Sequence, residues 1–360
     1  MKLFNCTHCH QVVYFENYSC ERCNHALGFE PQQQQIIALQ PQGEQYFTPQ
    51  GQADGTAYKY CANHAQHACN WLLPAHAAEQ FCQACVLNRT IPKLSEPEHV
   101  IRWQNLEKAK HRLIFSLLQL GLPVVSKTEN EETGLAFDFL ADEQKPEGEK
   151  VMTGHDNGLI TINIKEADDV EREMARKNMH EVYRTLLGHF RHEVGHYYWD
   201  RLVDNSPRLD ECRRLFGDER ADYGEALARH YQEGAPIDWN EHFISAYAST
   251  HPWEDWAETW AHYLHIVDTL QTASAYGIRV RPRVSEEADN LSATITGDPY
   301  RAEDFNAIME QWLPLSLALN SLNQSMGLPD AYPFVIPPAV VEKLAFIHTV
   351  CREAGQSRAS

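Results

Sequence analysis

The sequence lacks a long run of apolar residues. Its longest apolar stretch, residues 113–125, is interrupted by polar residues, Gly121 and Pro123, whereas a transmembrane helix needs about 20 consecutive apolar residues. The first residues also lack the apolar core of a secretory signal peptide. We therefore expect no membrane association and a cytoplasmic location, where the reducing environment disfavours disulfides.

Basic residues are scarce. The chain carries 31 lysine and arginine residues against 50 aspartate and glutamate residues, a formal net charge of −19. Within the first 60 residues only Lys2, Arg22 and Lys59 are basic. Nucleic-acid binding depends on a basic surface that neutralises phosphates, so we expect no nucleic-acid partner. The hydrophobic fraction of 43% is sufficient for a sizeable core and excludes global disorder.

Cysteine is almost absent from the last three quarters of the chain. Only Cys212 and Cys351 lie there, whereas eight cysteines lie between Cys6 and Cys85. This asymmetry indicates a separate N-terminal domain, and a stretch rich in proline and acidic residues places its boundary near Leu94. The predicted domains are residues 1–94 and residues 95–360, with 286–360 as a C-terminal helical part of the second domain.

The eight N-terminal cysteines include three Cys-x-x-Cys pairs. Thiolates at this spacing point at one position and suit tetrahedral zinc. The simplest assignment places Cys6, Cys9, Cys20 and Cys23 at one structural zinc and Cys61, Cys69, Cys82 and Cys85 at another. A cross-braced pairing is the alternative. A redox role would need a βαβ context that this segment lacks, and the compartment disfavours disulfides.

Periodicity predicts short strands and long helices. Strands are expected at residues 35–39, 45–48, 135–140 and 159–164, with a tight turn at Asn157-Gly158 before the last of them. Helices are expected at residues 99–120, 168–178, 183–203, 219–232, 253–270 and 303–322.

A His-Glu-x-x-His motif lies within the predicted helix 183–203. The spacing places His192 and His196 one turn apart on one helix face, where two imidazoles can chelate one zinc ion. Glu193, between them, is placed to take a proton from a water that the zinc activates. The motif therefore predicts a metallopeptidase site, which requires a third ligand.

Two downstream segments offer this third ligand. Glu254 and Glu258 lie four residues apart and share a helical face. Asp218 and Glu219 lie 22 and 23 residues after His196, near the shorter thermolysin-like spacing. Acidic residues in such a cluster are also typical of the first turn of a helix, where the helix dipole stabilises them.

The two helices resemble those of gluzincin metallopeptidases of the lethal-factor type, in which Glu-x-x-x-Glu follows the first motif after several tens of residues. The resemblance implies that Glu254 is the third zinc ligand and that Glu258 holds a ligand histidine. It also implies that Tyr247, seven residues before Glu254, assists the transition state. On this ground we favour Glu254 over Asp218 and Glu219.

Almost the whole chain is also similar to a bacterial family of zinc metallopeptidases with an N-terminal zinc ribbon. The similarity rests on the order of the cysteine groups and of three later segments, residues 153–156, 188–200 and 251–258. Together with the strand and helix patterns, it predicts an α+β fold. A β-rich zinc-ribbon domain is expected to precede a mainly α-helical, zincin-like metallopeptidase domain with a small sheet.

The combined prediction is a zinc peptidase with one catalytic and two structural zinc ions, acting on a peptide or protein substrate. The reaction would pass through a tetrahedral intermediate whose oxyanion the zinc and the Tyr247 hydroxyl stabilise. The alternative is a non-enzymatic protein in which the ribbons bind a protein partner and the His-Glu-x-x-His region is a structural or vestigial metal site. An open zinc coordination position distinguishes the two, because structural zinc sites use four protein ligands.

Overall fold

The computed structural model of the chain describes residues 2–43, 45–51, 57–142, 150–178, 183–284 and 291–356. Two compact units are present: Met1–Phe115 with Val124–Arg172, and Ser116–Pro123 with Glu173–Ser360. The predicted boundary near Leu94 lies inside the first unit, and the division at that residue stays a prediction. Residues 286–290 and 357–360 of the predicted C-terminal helical part lie outside the described residues. Within the described ranges, no helix combines the length and apolar character that crossing a bilayer requires.

The first unit begins with two antiparallel sheets. β1 (Phe4–Asn5) and β2 (Val12–Val13) form a short hairpin. A five-stranded meander follows, consisting of β3 (Ala26–Glu30), β4 (Gln35–Gln42), β5 (Tyr46–Pro49), β6 (Tyr58–Tyr60) and β7 (Leu72–Pro74). The strands predicted at 35–39 and 45–48 are confirmed as β4 and β5. Aromatic packing fills the core, with ring centroids 4.6 Å apart between Phe29 and Trp71.

A third sheet of the first unit contains the other two predicted strands. Its members are β8 (Asn88–Thr90), β9 (Ala136–Leu140), β10 (Gly154–Asp156) and β11 (Leu159–Asn163), in the spatial order β10-β11-β9-β8. β10 and β11 form an antiparallel hairpin, whereas β9 pairs in parallel with β11 and β8. Asn157 and Gly158 at the hairpin turn both have positive φ, 44° and 79°. The predicted Asn-Gly turn is therefore confirmed.

Two helices begin in the first unit and end in the second. These are α1 (Pro97–Gln119) and α2 (Asp169–Asn178). α1 ends before Gly121, whose φ of 71° is a conformation that glycine adopts without strain. Both helices match the predictions to within two residues at each end.

The second unit is mainly helical. Its helices are α3 (Leu186–Leu202), α4 (Leu209–Phe216), α5 (Tyr223–Glu233), α6 (Trp239–His242), α7 (Pro252–Ala275), α8 (Phe305–Ser325) and α9 (Pro338–Gln356). A two-stranded ladder pairs β12 (Arg279–Val280) with β13 (Ala293–Thr294). The predicted helices at 183–203, 253–270 and 303–322 correspond to α3, α7 and α8. The predicted α+β class, a strand-rich region followed by a mainly helical region with small sheets, is confirmed.

Candidate metal centres

α3 and α7 pack with their backbones in close contact at Gly195. A Cβ atom on Gly195 would lie 3.1 Å from the Cα of Ala257, so glycine at this position permits the contact. The indole nitrogen of Trp256 donates a hydrogen bond of 2.8 Å to the Gly195 carbonyl. N-terminal caps define the starts of both helices. The Thr185 hydroxyl accepts from the Gly188 N–H, and His251 Nδ1 accepts from the Trp253 N–H. This packing brings the two predicted metal-binding segments together.

Three ligand atoms converge where α3 faces α7. Glu254 Oε2 lies 3.0 Å from His192 Nε2 and 3.7 Å from His196 Nε2. Two atoms that bind one zinc at about 2.0–2.1 Å in tetrahedral geometry lie about 3.3 Å apart, between these two distances. Glu254 Oε2 is buried and accepts no hydrogen bond of good geometry from the described residues. A cation at this position would satisfy that oxygen, so the three residues fit a zinc site.

Other side chains orient two of the three ligands. His192 Nδ1 donates to Glu258 Oε1 over 2.8 Å, so Nε2 is the ring nitrogen that faces Glu254 and would bind a metal. Ser245 Oγ donates to the other Glu258 oxygen over 2.6 Å. The Tyr223 hydroxyl donates to Glu254 Oε1 over 2.8 Å, so only Oε2 faces the histidines. This arrangement of a carboxylate behind a histidine is typical of metal sites.

Charge in this buried cluster is balanced between histidine and carboxylate. Burial alone would lower the pKa of His192, but its contacts with Glu254 and Glu258 raise that pKa well above its usual range. Burial favours the neutral form of Glu258, yet the hydrogen bond from His192 lowers its pKa to about 2. The pKa of Glu254 is likewise lowered by both histidines against the effect of burial. Both carboxylates are therefore ionised at neutral pH and favour a cation.

The two predicted catalytic side chains belong to the same region. Glu193 is buried on α3, between the two histidines in sequence. Tyr247 begins a 3-10 turn, Tyr247–Ser249, ahead of α7, and its ring centroid lies 6.1 Å from that of His192. Burial raises the pKa of Tyr247 far above its usual value, and the Tyr223 hydroxyl interacts with it. Tyr247 therefore stays a neutral hydrogen-bond donor.

The rival acidic pair is engaged elsewhere. Asp218 forms an ion pair of 2.7 Å with Arg220, and Glu219 forms one of 2.5 Å with Arg213. The nearby Asp222 is the N-cap of α5 and accepts from a backbone N–H over 2.8 Å. The structure thus places Glu254, and neither Asp218 nor Glu219, beside the two histidines. The predicted helix start at 219 was four residues early because Asp222 caps the helix.

Sequence reasoning missed Tyr223 and Ser245. Tyr223 follows the cap of α5 directly, within a segment that was considered only for its carboxylates. Ser245 lies two residues before Tyr247, so its proximity to the predicted tyrosine was a usable signal. Neither residue belongs to a motif, and both were identified only from their hydrogen bonds to Glu254 and Glu258.

The eight N-terminal cysteines form two separate groups. The first tetrad consists of Cys6, Cys9, Cys20 and Cys23, and the second tetrad of Cys61, Cys69, Cys82 and Cys85. Sulfur atoms are 3.5 Å apart in the pair Cys9 and Cys20 and 3.7 Å apart in the pair Cys69 and Cys82. These are separations that two thiolates of one tetrahedral zinc adopt. None of the ten cysteines, all of which lie within the described residues, forms a disulfide.

A buried polar network lies behind the second tetrad. Cys85 Sγ lies 3.6 Å from His111 Nε2 and 3.7 Å from Glu107 Oε2, both residues of α1. Lys110 Nζ lies 2.9 Å from Glu107 Oε2, and both side chains are inaccessible to solvent. Burial opposes the charge of Lys110, but Glu107 and Cys85 raise its pKa, so it is a buried ammonium. Asn88 donates to Glu107 over 2.6 Å and completes the network.

Comparison with known proteins agrees with these groupings. A family model described as "Putative zinc-binding metallo-peptidase" matches residues 99–350, and a zinc-ribbon domain model matches residues 3–96. An uncharacterised protein of Mycobacterium tuberculosis and one of Mycobacterium bovis are each 43% identical to the chain over 354 residues, which cover 98% of this chain and 96% of theirs. No solved structure matches the chain. The resemblance to the bacterial family with an N-terminal zinc ribbon is thus confirmed, and the chain belongs to the family described as "Putative zinc-binding metallo-peptidase", with a zinc-ribbon domain at its N-terminus.

Proposed function

We propose that the protein is a cytoplasmic zinc peptidase that hydrolyses peptide bonds of a peptide or protein substrate. The observation that carries the proposal is the convergence of His192, His196 and Glu254 with a hydrogen-bonded carboxylate behind the first histidine. Among the described residues, no fourth ligating side chain joins these three. Three protein ligands are typical of catalytic zinc sites, which keep one position for water or substrate.

Each side chain has a separate task in this proposal. Bound zinc supplies Lewis acidity, which activates water and polarises the peptide carbonyl. The Glu193 carboxylate accepts the proton of the attacking water and returns it to the leaving amine. The neutral Tyr247 hydroxyl donates a hydrogen bond to the oxyanion as it forms. Glu258 holds the ring of His192, and Tyr223 fixes the orientation of the Glu254 carboxylate.

The two cysteine tetrads complete the proposed metal content. Each tetrad offers four thiolates and therefore suits a closed structural site. We expect three zinc ions per chain, two in the tetrads and one at the His-Glu-x-x-His helix. Measuring zinc in the wild-type protein and in the His192→Ala, His196→Ala variant should give about three and two ions. Two ions in both proteins would contradict the peptidase proposal and favour the alternative of a non-enzymatic binding protein.

Glu193→Gln separates catalysis from metal binding. The variant should lose activity by about 10²–10⁴-fold because the water loses its proton acceptor, while the zinc content stays unchanged. Cleavage of a peptide library, read by mass spectrometry, measures the activity. Glu225→Gln, an exposed glutamate on α5, is the matched control and should cleave normally. Equal cleavage by Glu193→Gln and wild type would contradict the assigned role.

Tyr223→Phe tests the residue that the sequence did not indicate. Removing its hydroxyl frees Glu254 Oε1 and lets the carboxylate rotate, so zinc affinity at this site should fall about 10–100-fold. Competition with a zinc chelator measures the affinity. Tyr46→Phe, at an exposed tyrosine of the first unit, is the control and should have no effect. Unchanged affinity in Tyr223→Phe would show that the carboxylate is oriented without this hydrogen bond.

A further inference from the structure

Two histidines flank one ligand of the first tetrad. Potential ligand atoms of His8, Cys23 and His25 all lie within 4.8 Å of one another. The two imidazole rings are 4.2 Å apart between centroids. His8 is exposed, and Cys23 and His25 are half-buried, so the group is open to solvent on one side. The peptidase proposal uses Cys23 only as a ligand of the first tetrad and assigns no role to His8 or His25.

One ring nitrogen of His25 is an unsatisfied polar atom. Its Nδ1 atom is hidden from water and has no hydrogen-bond partner. Buried polar atoms of native proteins are almost always paired, and an orphan points to an ion or a partner that completes it. Imidazole nitrogen and thiolate sulfur together suit soft divalent cations such as Zn²⁺.

Charge favours a second cation beside the first tetrad. Four thiolates around one Zn²⁺ retain two negative charges, and a thiolate keeps lone pairs that can bridge to another metal. Two neutral imidazoles and the shared Cys23 sulfur would accept a divalent cation and neutralise the cluster. A sulfur and a nitrogen that bind one zinc lie about 3.6 Å apart, and the potential ligand atoms of the three residues all lie within 4.8 Å of one another.

Beside the second tetrad, a side chain of the protein supplies the positive charge that we expect a cation to supply beside the first. Cys85, Glu107 and His111 also form a group with potential ligand atoms close together. There the Lys110 ammonium, 2.9 Å from Glu107, supplies the positive charge. At the first tetrad, within the part of the chain that the structure describes, no lysine or arginine side chain forms a hydrogen bond or ion pair with His8, Cys23 or His25.

We infer that His8, Cys23 and His25 form a satellite metal site that binds a second zinc-like divalent cation. The Cys23 thiolate bridges this cation to the structural zinc of the first tetrad. Three protein ligands and an exposed face make the satellite site weaker and faster in exchange than either tetrad. The inference depends on structural zinc in the first tetrad and is independent of peptidase activity.

Cobalt titration of the full-length protein, dialysed until only the three zinc ions of the tetrads and the His-Glu-x-x-His helix remain, tests the site. Co²⁺ bound to a thiolate gives a charge-transfer band in the near ultraviolet, and the His-Glu-x-x-His site contains no thiolate. We expect one Co²⁺ per chain to produce this band without release of zinc. In the His8→Gln, His25→Gln variant the affinity for this Co²⁺ should fall more than tenfold, while the tetrad zinc content stays at the wild-type value. His76→Gln, an exposed histidine of the same unit, should behave as wild type.

Three results would overturn the inference. The first is absence of the charge-transfer band in the wild-type protein. The second is a band of equal strength in the double variant. The third is release of one zinc for each cobalt bound, which would show exchange into a tetrad. A Glu193→Gln protein serves as a further check, because loss of peptidase activity should leave the titration unchanged.

Discussion

The two cysteine tetrads contain the same ligands in different surroundings. In the first tetrad Cys9 and Cys23 are partly exposed, and the flanking side chains are histidines on short loops. In the second tetrad all four cysteines are at most 2% exposed. Backbone N–H groups point at sulfurs of both tetrads, and in the second tetrad those of Trp71 and Cys82 do so over 3.3 and 3.4 Å.

This difference shows that ligand identity and ligand environment are separate properties. Four cysteines specify tetrahedral zinc in both cases. The buried network of Glu107, Lys110 and His111 makes the second tetrad part of the core of the first unit. The first tetrad has no such network among the described residues, and two of its four ligands, Cys9 and Cys23, are partly exposed. We therefore expect the second tetrad to determine stability and the first to exchange metal.

The largest expected effect comes from removing one ligand of each tetrad. Cys61→Ser should destabilise the first unit by several kcal/mol. The free energy of zinc binding contributes to the free energy of folding, and this site lies in the core. Cys9→Ser should lower the free energy of unfolding by clearly less than Cys61→Ser does, because the first tetrad is partly solvated. Thermal unfolding and zinc content of the two variants measure the difference. Equal destabilisation by both substitutions would show that burial does not distinguish the tetrads.

Removing the buried ammonium should have the next largest effect. Lys110→Met leaves the Glu107 carboxylate uncompensated beside the Cys85 thiolate, at a cost of about 3–5 kcal/mol. Adding Glu107→Gln to this variant should recover part of the loss, since the uncompensated charge is removed. Denaturant unfolding of both variants measures the free energies. Lys108→Met, exposed on the same helix, is the control, and a loss as large as that of Lys110→Met would contradict the role of the network.

The smallest expected effect is kinetic. In the presence of a zinc chelator, a thiol-alkylating reagent should modify Cys9 and Cys23 before any cysteine of the second tetrad, by roughly tenfold or more in rate. Exposure of these two sulfurs is the physical reason. Peptide mass spectrometry after timed quenching identifies the modified residues. Simultaneous modification of both tetrads would mean that the first unit opens as a whole before it loses zinc.

Local patterns predicted much of the fold. The Asn157-Gly158 turn follows from two residues that tolerate positive φ, and the strand after it, β11, was placed within one residue, whereas β10 before it was not predicted. α3 was expected from its apolar spacing, although its start was predicted three residues too early. The short helix α4 was not predicted, because eight residues give a weak periodic signal.

The candidate active site was predicted only in part. Spacing within one helix is local, so the pairing of His192 with His196 could be read directly. The choice between Glu254 and the acidic pair Asp218 and Glu219 depended on resemblance, and the ion pairs with Arg220 and Arg213 could not be foreseen. Side-chain partners from distant segments leave no pattern at a fixed spacing.

The sequence by itself determined the ligand types, the His-Glu-x-x-His helix, the grouping of eight cysteines near the N-terminus and the α+β class. These features depend on residue chemistry and on short spacings along the chain. Tertiary structure alone decided that Tyr223 orients Glu254, that a buried Lys110 balances the second tetrad and that two histidines flank the first. Burial and long-range contacts set the charge and exposure of each site, and neither is encoded in the spacing of its ligands.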